Sequence, residues 1–218
     1  MAKKATTKAG RVNMQDLMKL VNKKAGRNVA HDLTGDNPTS VKEWIPTGSR
    51  WLDSIICKGQ VAGIPVGKVT EIAGLESTGK SYMAAQIAAN AQKQGKVVVY
   101  FDSESAIDPS FLERTGCDLT QLMYVQASSV EFVLETIEEL LSAAEDKIVF
   151  IWDSLAFTPS VSDVEGDFNP QSSMAVKARI LAKGMSKLTI PLADAQATLI
   201  VLNQLKTNIP QGPNARIV

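Results

Sequence analysis

Gly67-Lys68-Val69-Thr70-Glu71-Ile72-Ala73, followed by Gly74-Leu75-Glu76-Ser77-Thr78-Gly79-Lys80-Ser81, reads as a short strand running into a phosphate-binding loop. Glycines at 74 and 79 let the backbone turn tightly, so that successive N–H groups from Gly74 through Glu76, Ser77, Thr78 and Gly79 can face phosphate oxygens. Lys80 would reach the β- and γ-phosphates, and the Ser81 hydroxyl would take one Mg²⁺ coordination position. The alternative is a glycine-rich turn that binds nothing. Context argues against it: Val69, Ile72 and Ala73 have strand character, and Tyr82 to Ala91 continues in helix formers. That order sets the phosphates at a helix N-terminus, where unpaired N–H groups and the dipole favour negative charge.

Working outward, Lys96-Val97-Val98-Val99-Tyr100-Phe101-Asp102, Lys147-Ile148-Val149-Phe150-Ile151-Trp152-Asp153 and Thr198-Leu199-Ile200-Val201-Leu202-Asn203-Gln204 are apolar runs with polar ends. Such runs fit strands buried on both faces of a parallel sheet. Between them, Val130 to Ala144 has helical spacing. A second helix runs from about Ala175 to Ile190, which Pro191 is expected to end or kink. Alternating strands and helices predict an α/β fold with a mainly parallel sheet and helices on both faces. Ahead of the loop, Ile45 to Asp53 reads as a turn and short helix with Leu52, Ile55 and Ile56 facing inward, and Gly59 to Gly67 as a loop.

Ligands bind such sheets at the carboxyl ends of the strands, which singles out Asp102, Asp153 and Gln204. Four apolar residues ending in Asp153 are the usual companion of a phosphate loop, and Asp153 would hold Mg²⁺ directly or through water. Asp102 and Glu104 are the candidates to orient an attacking water, against strand-end capping as the plainer role. Gln204 can hydrogen-bond a γ-phosphate oxygen without carrying charge. No nucleophile with a neighbouring base stands out, so covalent catalysis is not expected. His31, the single histidine, has no adjacent metal-ligand partner and reads as structural or solvent-exposed.

The 218 residues have zero formal net charge, unevenly spread. Lys3, Lys4, Lys8, Arg11, Lys19, Lys23, Lys24 and Arg27 stand against Asp16 in the first thirty residues, a net +7 that leaves −7 for the remainder. Such an arm suits nucleic acid, an acidic neighbouring subunit, or a solvated tail. Met14, Leu17, Met18 and Val21 mark an amphipathic helix from Asn13 to about Gly26, and His31 to Ser40 reads as a linker. The organisation expected is therefore a basic helical arm over 1–40 and a single core over 41–218. Two cysteines without metal-ligand spacing, no long apolar run and no signal peptide predict a soluble, cytoplasmic protein.

Gly74-Leu75-Glu76-Ser77-Thr78-Gly79-Lys80-Ser81 resembles the nucleotide loop of RecA-type recombinases. Asp102-Ser103-Glu104-Ser105-Ala106-Ile107-Asp108-Pro109 is similar to that family's Asp-Ala-Glu…Ala-Leu-Asp-Pro segment. The stretch after Val161 to Gly166 resembles its first DNA-binding loop, and Thr47-Gly48-Ser49…Leu52-Asp53 fits as well. The resemblance covers about residues 45 to 210 and implies a P-loop NTPase core of RecA type; the short basic arm is also compatible with a phage UvsX branch. It implies Glu104 as the catalytic glutamate, Asp153 as the metal-associated acid, Gln204 as the γ-phosphate sensor, and Phe111 and Asp108 against adenine. It further implies DNA contacts from Met174 and Arg179 in the first loop and its helix and from Ile209 in the second, with nearby Lys177, Lys183 and Lys187, and Lys206, as further candidates to meet DNA.

The implied activity is DNA-dependent hydrolysis of ATP with Mg²⁺ by a recombinase that forms helical homo-oligomeric filaments on single-stranded DNA and pairs it with duplex DNA, in a bacterial or phage-infected cytoplasm, without membrane contact. Departures are Asn169-Pro170, which lengthens the first loop, and Ala182 and Ser186 where a Ser and an Arg can meet phosphate. The chain also stops at Val218, inside what resembles the second loop, so a fragment or a natural truncation is expected. Alternatives of other classes are a ring-forming hexameric helicase, a nucleotide-binding module without turnover, and, more remotely, a small-molecule kinase.

Overall fold

The computed structural model describes residues 13–34, 40–60, 62–143, 147–166 and 174–205. The chain divides into two compact units, Met1–Ser40 and Val41–Val218. In the first, α1 (Met14–Ala25) starts at Asn13, whose side chain accepts from the Gln15 N–H at 3.1 Å, and ends at Gly26 with φ +67°. These are an N-cap and a left-handed C-terminal cap at the expected ends. Asn22 on the helix accepts from the Val29 and Ala30 N–H groups, both at 2.8 Å, which ties the following turn back to α1.

The second unit begins with β1 (Trp44–Ile45), α2 (Arg50–Ile56) and β2 (Ile64–Pro65), β1 and β2 pairing antiparallel. Two expectations change here. The stretch from Gly59 to Gly67 contains strand β2 and is not loop throughout. On α2, Ile55 is 73% and Ile56 39% exposed, Leu52 is half-buried, and the buried residue is Asp53. The reason is polar: the Asp53 carboxylate accepts from the Thr47 N–H at 2.9 Å and its hydroxyl at 2.7 Å. A buried carboxylate is tolerated only when so satisfied, and that need sets the helix rotation.

The main sheet holds β3 (Val69–Gly74), β4 (Val97–Asp102), β5 (Leu122–Gln126), β6 (Ile148–Asp153) and β7 (Thr198–Gln204), all parallel in the order β3-β7-β6-β4-β5. The connections run through α3 (Lys80–Lys93), α4 (Pro109–Arg114), α5 (Val130–Ala143), α6 (Val161–Glu165) and α7 (Met174–Asp194). Strand β5 was absent from the sequence reading. It is an edge strand among the described residues, with Met123 47% and Tyr124 49% exposed, so it lacks the unbroken apolar run that marked the others.

Period-two alternation splits the strands between two cores. Val98, Tyr100, Val149, Ile151, Ile200 and Leu202 pack with the alanine-rich side of α3. Val99, Phe101, Phe150, Trp152, Leu199 and Val201 pack beneath α5 and α7. Helices thus cover both faces, as α/β sheets with apolar strands require. Helix α7 does not stop at Pro191 but runs to Asp194. Proline removes one N–H, yet buried Leu188 and Leu192 anchor the last turn, and the Ala195 N–H bonds the Pro191 carbonyl at 2.9 Å.

Candidate functional site

The loop between β3 and α3 turns through two left-handed positions, Ser77 at φ +59° and Gly79 at φ +90°. Gly74 is instead the extended last residue of β3, and a Cβ there would lie 2.9 Å from the Thr78 hydroxyl, so its role is close approach. Thr78 donates to the Leu75 carbonyl at 2.8 Å, closing the turn. Lys80 folds back over it and donates to the carbonyls of Gly74 at 3.2 Å and Leu75 at 2.8 Å. Gly79 caps α3 without a side chain, so the N–H groups of the first turn are the donors the loop presents. Leu75, Glu76, Ser77, Thr78 and Gly79 are all exposed.

The sheet register brings the strand-end residues to this same edge. Asp102 stands beside Asp153, and Gly74 beside Gln204. A cleft of about 90 Å³ is lined by Ser81, Asp102, Glu104, Ala106, Ile107, Phe111 and Asp153. Five of these were singled out in sequence, and they come from four separate segments of the chain. Ala106 and Ile107 were not, since nothing in their apolar type signals a site.

Asp153 is largely buried, and burial raises its carboxyl above the ordinary carboxylate range. Hydrogen bonds from the Ser81 and Tyr100 hydroxyls oppose that shift by favouring the charged form, and the charge of Asp102 adds to it. Tyr100 donates to Asp153 Oδ2 at 2.9 Å. Asp102, 2% exposed, accepts from the Glu104 N–H at 3.0 Å, the Ile107 N–H at 3.3 Å and the Tyr124 hydroxyl at 3.2 Å. Its carboxylate is thereby committed to shaping the turn after β4. Glu104 is exposed, and its Oε1 accepts from the Ser154 hydroxyl at 3.2 Å. Ser154 is held in turn by Ser103, whose hydroxyl accepts from the Ser154 N–H at 2.9 Å and donates to the Ser154 carbonyl at 3.0 Å.

At the other end of the cleft, Phe111 pairs with Tyr82 at a centroid separation of 6.1 Å and an interplanar angle of 56°. Tyr82 was missed in sequence; its position one residue after Ser81, on the turn facing α4, was the available signal. Asp108 does not line the cleft. It caps α4, accepting from the Ser110 N–H at 2.9 Å and its hydroxyl at 2.7 Å, and these bonds hold its carboxyl below the ordinary range. The Gln204 N–H donates to Asn203 Oδ1 at 3.0 Å, and Asn203 reaches Glu71 at 2.8 Å.

The DNA-contact candidates are more dispersed. Met174 is the first residue of α7. Lys177 donates to the Ala156 carbonyl at 3.0 Å, and Arg179, exposed, donates from Nε to the Ala175 carbonyl at 3.2 Å. Lys183 borders a cleft of about 260 Å³ with Glu131, Glu135 and Glu138 of α5, where Lys187 pairs with Glu138 at 2.6 Å. Lys206 and Ile209 lie outside the described residues.

Ser81 and Asp153 are hard oxygen donors held together at the base of the loop. That set fits Mg²⁺, which is usually held by one or two protein oxygens together with substrate phosphates. No described helix is long and apolar enough to cross a membrane.

A family model described as the RecA N-terminal domain matches residues 12–211. Protein RecA of Bifidobacterium breve is 38% identical over 190 residues, covering 87% of this chain and 47% of that protein. Protein RecA of Fusobacterium nucleatum is 36% identical over 214 residues, covering 96% of this chain and 55% of that protein. The mitochondrial DNA repair protein recA homolog of Dictyostelium discoideum is 34% identical over 196 residues, covering 90% and 42% respectively. The chain spans about half the length of the curated relatives it matches, and it belongs to the RecA family.

Proposed function

We propose that the chain acts as the nucleotide-binding part of an ATP-dependent recombinase, which assembles on single-stranded DNA as a helical filament of like subunits and pairs that strand with a homologous duplex in recombination and repair. The observation that carries this reading is the convergence of Lys80, Ser81, Glu104 and Asp153 on the carboxyl edge of one parallel sheet in a chain of the RecA family.

In this reading the ATP phosphates lie against the N–H groups of residues 74–81, and Lys80 exchanges its bonds to the Gly74 and Leu75 carbonyls for bonds to phosphate oxygens. Ser81 and Asp153 hold Mg²⁺, which when bound neutralises developing phosphate charge. Glu104 takes a proton from the attacking water, its carboxylate steadied by Ser154. Phe111, with Tyr82 beside it, offers an aromatic face to adenine, and Asp108, which caps α4 outside the cleft, is the candidate for the base edge. Gln204 senses the γ-phosphate. DNA contacts fall to Met174, Lys177, Arg179 and Lys183 and to Lys206 and Ile209, cations holding phosphates while apolar side chains fill gaps between bases. The helical arm over 1–40 docks on the neighbouring subunit.

The test is ATP hydrolysis by the purified protein with and without single-stranded DNA, alongside electron microscopy with a non-hydrolysable analogue. DNA-stimulated turnover and helical filaments are expected. Nucleotide binding without either would restrict the chain to a nucleotide-binding module.

A further inference from the structure

Tyr100 is 1% exposed, in the core between the sheet and α3. Its neighbours there include Ala84, Ala85, Val149 and Ile151, which a phenylalanine would serve equally well. The hydroxyl is what distinguishes it, and it donates to Asp153 Oδ2 at 2.9 Å across 53 residues of sequence. A buried hydroxyl without a partner is costly, so this bond is a structural commitment and not an incidental contact. Its register partner on β5, Tyr124, donates likewise to Asp102. Two tyrosines one tier below the strand ends therefore orient the two strand-end acids.

A carboxylate at a strand end turns readily about its terminal torsion, which has broad minima. With the Tyr100 hydroxyl on Oδ2, that rotation is restrained. We propose that Tyr100 is a positioning residue of the nucleotide site: its hydroxyl fixes the Asp153 carboxylate so that an oxygen is presented to the metal beside Ser81. The proposal rests on the nucleotide reading above.

Hydrogen-bond partners of metal-holding groups are typically worth about 10–100-fold in metal affinity. The experiment titrates Mg²⁺ into the full chain with a fluorescent ATP analogue, comparing the native protein, Tyr100→Phe, Asp153→Asn and the double variant, with urea unfolding of each to verify folding. Tyr100→Phe is expected to raise the Mg²⁺ midpoint about tenfold and to leave analogue binding in EDTA unchanged, since Lys80 and the loop N–H groups do not depend on the hydroxyl. In the Asp153→Asn background, Tyr100→Phe should add no further shift. A native midpoint in Tyr100→Phe, or an independent additive shift in the double variant, would overturn the proposal while leaving nucleotide binding intact. Failure of the native protein to bind the analogue at all would instead remove the nucleotide reading itself.

Discussion

In the proposed function Lys80 and Glu104 would divide the chemistry of the cleft between a cation that binds phosphate and a carboxylate that accepts a proton. Lys80 rests on two loop carbonyls, partners that alanine cannot replace and that phosphate oxygens can. Lys80→Ala is expected to abolish retention of ATP, read by equilibrium binding of a labelled analogue; native affinity would overturn the assignment. Glu104→Gln keeps an acceptor for the Ser154 hydroxyl but cannot take a proton. Turnover is expected to fall about 10²–10⁴-fold, the usual worth of a general base, with nucleotide binding retained. Sequence singles out both residues because a phosphate loop and an acid two residues past a strand end are local patterns. The commitment of Asp102 to backbone N–H groups is not legible there, since it depends on how the turn after β4 closes.

Helices α5 and α7 pack closely, and Gly184 lies where they meet. A Cβ at this position would fall 2.4 Å from Leu134 Cδ1 and 3.1 Å from its Cγ. In an isolated helix Gly→Ala gains about 1 kcal/mol, whereas forcing a methyl into a packed core typically costs about 1–3 kcal/mol. Leu134 is buried and has little room to yield, so the steric effect should win. Gly184→Ala is expected to destabilise by about 1 kcal/mol net in urea unfolding, and a stabilised variant would show that the helices can part. Helical periodicity revealed both helices but not this contact. It also did not reveal that Pro191 lies inside α7, where packing of Leu188 and Leu192 outweighs one missing hydrogen bond.

At the scale of the molecule, charge links distant segments. Glu43, just before β1, forms ion pairs with Lys96 at 3.1 Å and with Lys147. Hydrogen bonds from Lys147 and then Lys96 hold its carboxyl below the ordinary 4.5. A depressed folded value means that the stabilisation is fully present above the unfolded value and is lost as pH falls through the folded one. The urea midpoint should therefore drop on acidification below 4.5 less steeply in Glu43→Gln than in the native protein; identical pH profiles would exclude the pair. For DNA, Arg179 lies exposed on α7, while Lys183 faces carboxylates of α5 that compete with phosphate. Arg179→Ala is expected to lower the slope of log K against log salt by about 1, and Lys183→Ala by less, in single-stranded DNA titrations at several salt concentrations. The sequence by itself determined the phosphate loop, four of the five main-sheet strands and the acids at their ends, because apolar runs and glycine spacing are short-range signals of burial and turning. Tertiary structure alone decided edge strand β5 and the hydroxyls of Tyr100 and Tyr124 on the strand-end acids. Those depend on strand register across dozens of residues, which hydrophobic pattern within any one segment does not encode.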